Sequence, residues 1–257
     1  LIFLFVSCNI KNENHSHFLC YYLLSYILLF TLKERAEMGK YDVVIVGAGA
    51  AGIGIASMLK DFGIEKMVVL ERDKVGSTFD KWPEEMRFIT PSFTTNFWGH
   101  IDINSVVAGT SPAFSLDTEH PTGKEYANYL RLITEHFKLP IKENTEVEKI
   151  DHSKDNFTIH VKTFGGQETI ESRFLIWAAG EFQYPNTDIF SGSELCLHNS
   201  QVETWGQIQG DEVYVIGGNE SGIDAAIHLS RLGKKVAVLE GSKDWSEKTT
   251  DPSANLS

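Results

Sequence analysis

The sequence predicts an α/β protein that uses one strand–turn–helix–strand unit twice. Three observations predict it. A short apolar run, Val43-Val44-Ile45-Val46, leads into a glycine-rich turn and a helical stretch. A second run, Val213-Tyr214-Val215-Ile216, leads into another glycine turn and another helical stretch. Each unit then closes with a short apolar strand that ends on a glutamate, Glu71 in the first and Glu240 in the second. Internal repetition of this kind sets the architecture before any single residue is read.

Bulk properties narrow the field. With 257 residues, 42% of them hydrophobic, the chain can bury one large core or two intimate ones. The formal charge is -12 and no Lys/Arg cluster is present, which argues against a nucleic-acid partner. Cys8, Cys20 and Cys196 are far apart and no C-x-x-C occurs. A local redox dithiol, a cysteine zinc knuckle and a disulfide scaffold are therefore not expected, and the low cysteine use fits a reducing cytoplasm. His15 and His17 carry no metal-ligand spacing, so no metal site is predicted.

Residues 1–37 differ in character from the rest. They begin with Leu1, and Phe18 to Leu32 is uncharged and mostly apolar. That run is shorter than the roughly 20 residues a spanning helix needs. Lys33-Glu34-Arg35 follows it where a signal peptide would show small residues. Met38 stands directly before the first strand, so Met38 is read as the native start and residues 1–37 as a non-native extension. The alternative is a membrane-associated protein anchored through Phe18 to Leu32.

In chain order, Val43 to Val46 reads as a fully buried parallel strand. A helix follows from about Ile53 to Phe62, closed by Gly63. Met67 to Leu70 is the next strand. Residues 76–122 read as loops with short elements. Gly123 to Phe137 reads as a helix, with Tyr126, Leu130, Ile133 and Phe137 on one face. Glu146 to Ile150, Phe157 to Thr163 and Glu168 to Phe174 read as strands. Phe174 to Ala178 reads as a further buried strand leading to Ala179-Gly180. Val213 to Ile216, a helix over Ile223 to Leu232 closed by Gly233, and Val236 to Leu239 make the second unit.

Gly47-Ala48-Gly49-Ala50-Ala51-Gly52 fits G-x-G-x-x-G between strand and helix. The first glycine permits the tight turn. The second lets a pyrophosphate approach the backbone, and the third lets helix and strand pack closely. The helix N-terminus offers N–H groups and a positive dipole end to the phosphates. Glu71 ends the second strand, where a carboxylate accepts a ribose hydroxyl. Strand, turn, helix and acid together identify a dinucleotide site.

The second turn, Gly217-Gly218-Asn219-Glu220-Ser221-Gly222, departs from the pattern at Asn219. Asparagine tolerates left-handed backbone better than most residues, so the turn is expected to survive. Glu240 favours NADH, because a carboxylate repels a 2′-phosphate. Lys234, Lys235 and Lys243 lie nearby in sequence and could offset it. The residues leave NADH and NADPH open.

These motifs resemble the two-dinucleotide-binding-domain flavoproteins. The sequence is similar to their flavin-containing monooxygenase-like branch and to bacterial oxidoreductases related to bacillithiol disulfide reductase. The resemblance covers nearly everything after Met38. It rests on Val46 to Gly52, Glu71-Arg72, Gly76-Ser77-Thr78-Phe79 with Trp82, Ala178-Ala179-Gly180 with Pro185, and Gly217 to Gly222. It implies a Rossmann-type FAD-binding domain with an inserted, incomplete second Rossmann NAD(P)-binding domain. The expected boundaries are 38–205 for the first part of the FAD domain and 206–257 for the start of the NAD(P) domain, with a C-terminal truncation. It implies FAD contacts from Gly47, Gly49, Ala50, Ala51, Gly52, Glu71, Arg72, Ser77, Thr78, Trp82, Val147, Ala179 and Gly180. It implies NAD(P)H contacts from Gly217, Gly218, Asn219, Glu220, Ser221, Gly222 and Glu240.

Asn96 resembles an asparagine that the monooxygenases keep near the flavin, and is the candidate catalytic residue; a loop-capping role is its alternative. Cys196 reads as a buried small hydrophobe, and His198 as a structural histidine. Trp177, Phe93, Phe97 and Trp98 would wall the flavin or pack a core. Three activities remain: a monooxygenase-like FAD-dependent oxidoreductase fed by NAD(P)H, an FAD-dependent reductase of a low-molecular-weight disulfide, or a nucleotide-binding redox sensor without turnover. The expected partner is a small-molecule substrate, and dimers are frequent among similar proteins.

Overall fold

The structure is a computed structural model that describes residues 41–93 and 102–241. The described backbone divides into two compact units. The first takes residues 41–77, 106–108 and 130–183, and the second takes 78–93, 102–105, 109–129 and 184–241.

The first unit is built on a six-stranded sheet. Its strands are β1 (Tyr41–Val46), β2 (Met67–Leu70), β3 (Ile141–Lys142), β4 (Glu146–Ser153), β5 (Asn156–Thr163) and β6 (Gly166–Trp177), in the order β3-β2-β1-β6-β5-β4. The β3, β2, β1 and β6 neighbours run parallel, and β4, β5 and β6 pair antiparallel. Val43, Val44, Ile45 and Val46 are all buried, as a central parallel strand requires. Helix α1 (Ala50–Asp61) joins β1 to β2 and buries Gly52, Ile53, Ala56 and Leu59 at helical spacing. Val44, Val46, Val68, Leu70, Ile159, Val161 and Ile170 form one core cluster.

The segment from Glu168 to Ala178 differs from expectation. It is one strand, β6, rather than two. Ser172 pairs with Phe157 on β5 and with Tyr41 on β1. The strand thus leaves an antiparallel partner and gains a parallel one without breaking. Mostly exposed polar residues in its first half and a continuous apolar run, Phe174 to Trp177, at its end record that change of surroundings.

Among its described residues, the stretch read as loops holds two short helices, α2 (Ser77–Asp80) and α3 (Pro112–Leu116). Helix α4 (Gly123–His136) starts at a capping box: the Thr122 N–H donates to Glu125 at 2.7 Å, and the Glu125 N–H donates to the Thr122 hydroxyl at 3.2 Å. In the second unit Phe79, Trp82, Phe88 and Tyr126 stack with ring centroids 4.3–5.9 Å apart. Gly123 lets this cluster close, since a Cβ there would lie 2.2 Å from the Phe79 carbonyl oxygen. Burial pushes the Tyr126 phenol well above its ordinary pKa.

The second unit also holds the repeated motif. Strands β7 (Glu212–Ile216) and β8 (Lys235–Leu239) run parallel, joined by α5 (Glu220–Arg231). Val202, Trp205, Ala225 and Leu229 form the core beneath α5. A long-range tie completes it: Glu85 accepts from the Thr204 hydroxyl at 2.5 Å and from the Trp205 N–H at 3.2 Å. Among the described residues no helix is long and apolar enough to cross a membrane. Phe18 to Leu32 lies outside them.

Candidate dinucleotide sites

The first glycine turn is shaped by close approach. Gly47 has φ +103°, and a Cβ on it would sit 2.4 Å from the Ala178 carbonyl oxygen. A Cβ on Gly52 would sit 1.9 Å from the Gly47 carbonyl oxygen. Neither position admits a side chain. Gly49 is different: a Cβ there would meet nothing within 4 Å. Open space is thus kept beside the backbone at the middle position of the turn. Gly49 is also the N-cap of α1 and makes no side-chain cap. The first intrahelical bond runs from the Ile53 N–H to the Gly49 carbonyl at 3.0 Å. Ala50, Ala51 and Gly52 therefore present N–H groups that the helix itself cannot satisfy. Helix α1 begins three residues earlier than the apolar pattern suggests, because these small residues carry no periodicity to read.

Glu71 is held against this turn. One carboxylate oxygen accepts the Ala48 N–H at 2.8 Å, and the other accepts the Asp73 N–H at 2.8 Å. The Glu71 carbonyl accepts the Thr145 N–H at 2.8 Å, which brings the start of β4 alongside. Val147 follows two residues later, paired with Val161 and packed on the sheet core. The Ala48 carbonyl accepts the Gly76 N–H at 3.0 Å, so the residue before Ser77 is anchored to the same turn. The Ala178 N–H donates to the Val46 carbonyl at 2.8 Å, and Ala179 lies beside Gly47. Gly180, at φ +73°, follows. The structure thus gathers Gly47, Gly49, Ala50, Ala51, Gly52, Glu71, Ala179 and Gly180 around one turn. Arg72 and Thr78 are exposed, and Ser77 is half-buried. Trp82 stands in the aromatic cluster described above. Asn96, Phe97 and Trp98 lie outside the described residues.

The second turn repeats the central bonds of this geometry, although a Cβ on Gly217 would meet nothing within 4 Å. The Gly47 N–H donates to the Leu70 carbonyl at 2.8 Å, and the Gly217 N–H donates to that of Leu239 at 2.9 Å. Gly217 has φ +104°, and a Cβ on Gly222 would lie 1.9 Å from its carbonyl oxygen. Glu240 accepts the Gly218 N–H, as Glu71 accepts that of Ala48. Asn219 caps α5 with φ −82° and ψ −177°, against −83° and −170° at Gly49. This corrects the reason given for tolerance of asparagine. The middle position is extended backbone that any residue adopts, so left-handed conformation plays no part there. Glu220, Ser221 and Gly222 open α5.

Two expectations outside the turns meet different fates. Cys196 is exposed, not buried, because it follows a short 3₁₀ turn in an irregular surface segment. His198 caps the next such turn through the Ser200 N–H, a structural role. Trp177 is 43% exposed and Phe93 55% exposed. Sequence reasoning missed Ala48, Gly76 and Thr145. Each acts through backbone atoms alone, so no residue-type signal marks them. Among the described residues no cluster fit to hold a metal ion occurs.

Comparison with known proteins agrees with this construction. The chain is 29% identical over 198 residues to CzcO of Bacillus velezensis, described as an uncharacterized oxidoreductase, covering 74% of this chain and 52% of that protein. It is 26% identical over 220 residues to senecionine N-oxygenase of Tyria jacobaeae, covering 76% and 45%. The chain thus spans about half the length of the curated relatives it matches. Its fold matches bacillithiol disulfide reductase Bdr (YpdA) of Staphylococcus aureus with a TM-score of 0.63 at 24% identity, covering 84% of this chain and 60% of that one. Residues 44–257 match the pyridine nucleotide-disulphide oxidoreductase family, and the chain belongs to that family.

Proposed function

We propose that the protein is an FAD-dependent oxidoreductase that takes hydride from NAD(P)H, with monooxygenase-like activity on a small molecule. The observation that carries this reading is the duplicated turn. Two nucleotide-type turns, each with its forced glycines and its carboxylate bonded to the N–H after the first glycine, supply two dinucleotide sites in one chain. The first site fits FAD through Gly47, Gly49, Ala50, Ala51, Gly52 and Glu71, with Arg72, Ser77, Thr78, Trp82, Val147, Ala179 and Gly180 as further contacts. The bare space at Gly49 accepts the pyrophosphate, and the first-turn N–H groups of α1 bind its charge. The second site takes the nicotinamide nucleotide through Gly217 to Gly222 and Glu240. FAD, when bound, accepts hydride and passes electrons onward. The protein's own part is to bind and orient the two nucleotides. Asn96 is the candidate catalytic side chain. The similarity to an N-oxygenase supports the monooxygenase-like reading.

A second reading is an FAD-dependent reductase of a low-molecular-weight disulfide. The Gly217 to Gly222 turn, which resembles that of the disulfide reductases, favours it. In either case we place the protein in the cytoplasm, without a nucleic-acid partner, with domains at 38–205 and 206–257.

The test uses the full-length protein with bound FAD. Nicotinamide-dependent oxygen uptake supports the first reading. Thiol release from an added small disulfide, with little oxygen uptake, supports the second. Failure of both NADH and NADPH to reduce the flavin contradicts both.

A further inference from the structure

We infer that the second turn selects NADH over NADPH, with Glu240 as the discriminating residue. The inference rests on the reading of this turn as the nicotinamide site and names its cofactor. The two nicotinamide nucleotides differ only at the adenosine ribose, where one carries a 2′-hydroxyl and the other a 2′-phosphate. A carboxylate at the end of the second strand accepts the hydroxyl and repels the phosphate; an arginine nearby reverses the preference.

The structure fixes the position of Glu240. Its carboxylate accepts the Gly218 N–H, in the relationship that Glu71 has with Ala48. Glu240 is therefore drawn toward the turn rather than turned out to solvent. The residue after it is Gly241, where the first unit has Arg72 after Glu71. No side chain at 241 can meet a phosphate.

Two of the three lysines that could offset Glu240, Lys234 and Lys235, are placed elsewhere. Lys234 donates to the Gly210 carbonyl at 2.6 Å. Lys235 pairs with Glu212 at 3.1 Å. Gly210 and Glu212 sit at the start of β7, and Lys235 opens β8. Glu240 lies past the other end of β8, five residues on, or about 16 Å at strand rise. At that separation exposed lysines are largely screened from a phosphate beside Glu240. Lys243 lies outside the described residues.

Equilibrium titration of the full-length FAD-bound protein with NAD⁺ and NADP⁺, followed by tryptophan fluorescence or calorimetry, tests this without turnover. NAD⁺ should bind at least about tenfold more tightly, the effect of one like charge near the 2′ position. Glu240→Gln should narrow that ratio, and Glu240→Gln with Gly241→Arg should reverse it. Lys234→Ala and Lys235→Ala should leave it unchanged. Equal or tighter binding of NADP⁺ overturns the inference while leaving the nicotinamide site standing. Failure of both nucleotides to bind overturns the site as well.

Discussion

The Glu71 carboxylate accepts the Ala48 N–H at 2.8 Å across 23 residues of sequence. This bond ties the acid at the end of β2 to the glycine turn at the end of β1. It sets where a ribose would meet the carboxylate relative to where phosphates would meet α1. Glu71→Ala removes the acceptor for Ala48, the acceptor for Asp73 and the proposed ribose contact together. FAD retention should fall by roughly tenfold or more, the equivalent of losing one charged hydrogen bond of about 1.5–3 kcal/mol. Equilibrium dialysis of FAD from the variant checks this. Unchanged retention would count against the assignment.

The three glycines of the first turn should separate into two kinds. Gly52→Ala drives a methyl into the Gly47 carbonyl and should cost about 3 kcal/mol or more in stability, the upper end of overpacking. Gly49→Ala meets open space and keeps an ordinary backbone conformation. It should fold with near-normal stability yet lose FAD, because the methyl fills the space left for the pyrophosphate. Denaturant melts beside FAD titrations distinguish the two outcomes. Equal damage to stability from both substitutions would contradict the geometry.

Asn219 makes no side-chain cap and occupies extended backbone. Asn219→Ala should therefore cost less than about 0.5 kcal/mol, where a capping asparagine typically costs about 1. A loss of 1–2 kcal/mol in urea melts would show that its side chain holds the turn.

Glu85 predicts an acid-sensitive tie. Burial alone would raise its carboxyl pKa, but the hydrogen bonds from Thr204 and Trp205 outweigh that and hold it below the ordinary 4.5. A folded pKa below the unfolded value means stability present above about pH 4.5 and lost as pH falls through the folded pKa. Glu85→Gln should cost about 1 kcal/mol at neutral pH. The difference should vanish in acid, where Glu85 is itself neutral. Thermal melts across pH check this, and a difference that grows in acid would contradict it.

Much of this structure could be read from the chain. Both βαβ units announce themselves through β-branched runs, glycines and terminal acids, because each feature has one physical cause in one place. Val43 to Val46 must be buried, and Gly47 must turn. The start of α1 was less legible, since Ala50, Ala51 and Gly52 have no hydrophobic period. The continuity of β6 was hidden because its two halves have different neighbours, and period changes with surroundings. The bonds of Ala48 and Thr145 to Glu71 were invisible for a deeper reason. They use backbone atoms that every residue carries, so only the fold can place them.

The central claim is that one chain carries two dinucleotide sites, one for FAD and one for a nicotinamide nucleotide. The most direct measurement is anaerobic titration of the purified full-length protein with NADH and, separately, NADPH, following the flavin absorbance after bound FAD has been identified by mass. The account predicts about one FAD per chain and bleaching by added nicotinamide nucleotide, with NADH effective at the lower concentration. A protein that carries no FAD, or whose FAD neither nucleotide reduces, would contradict it.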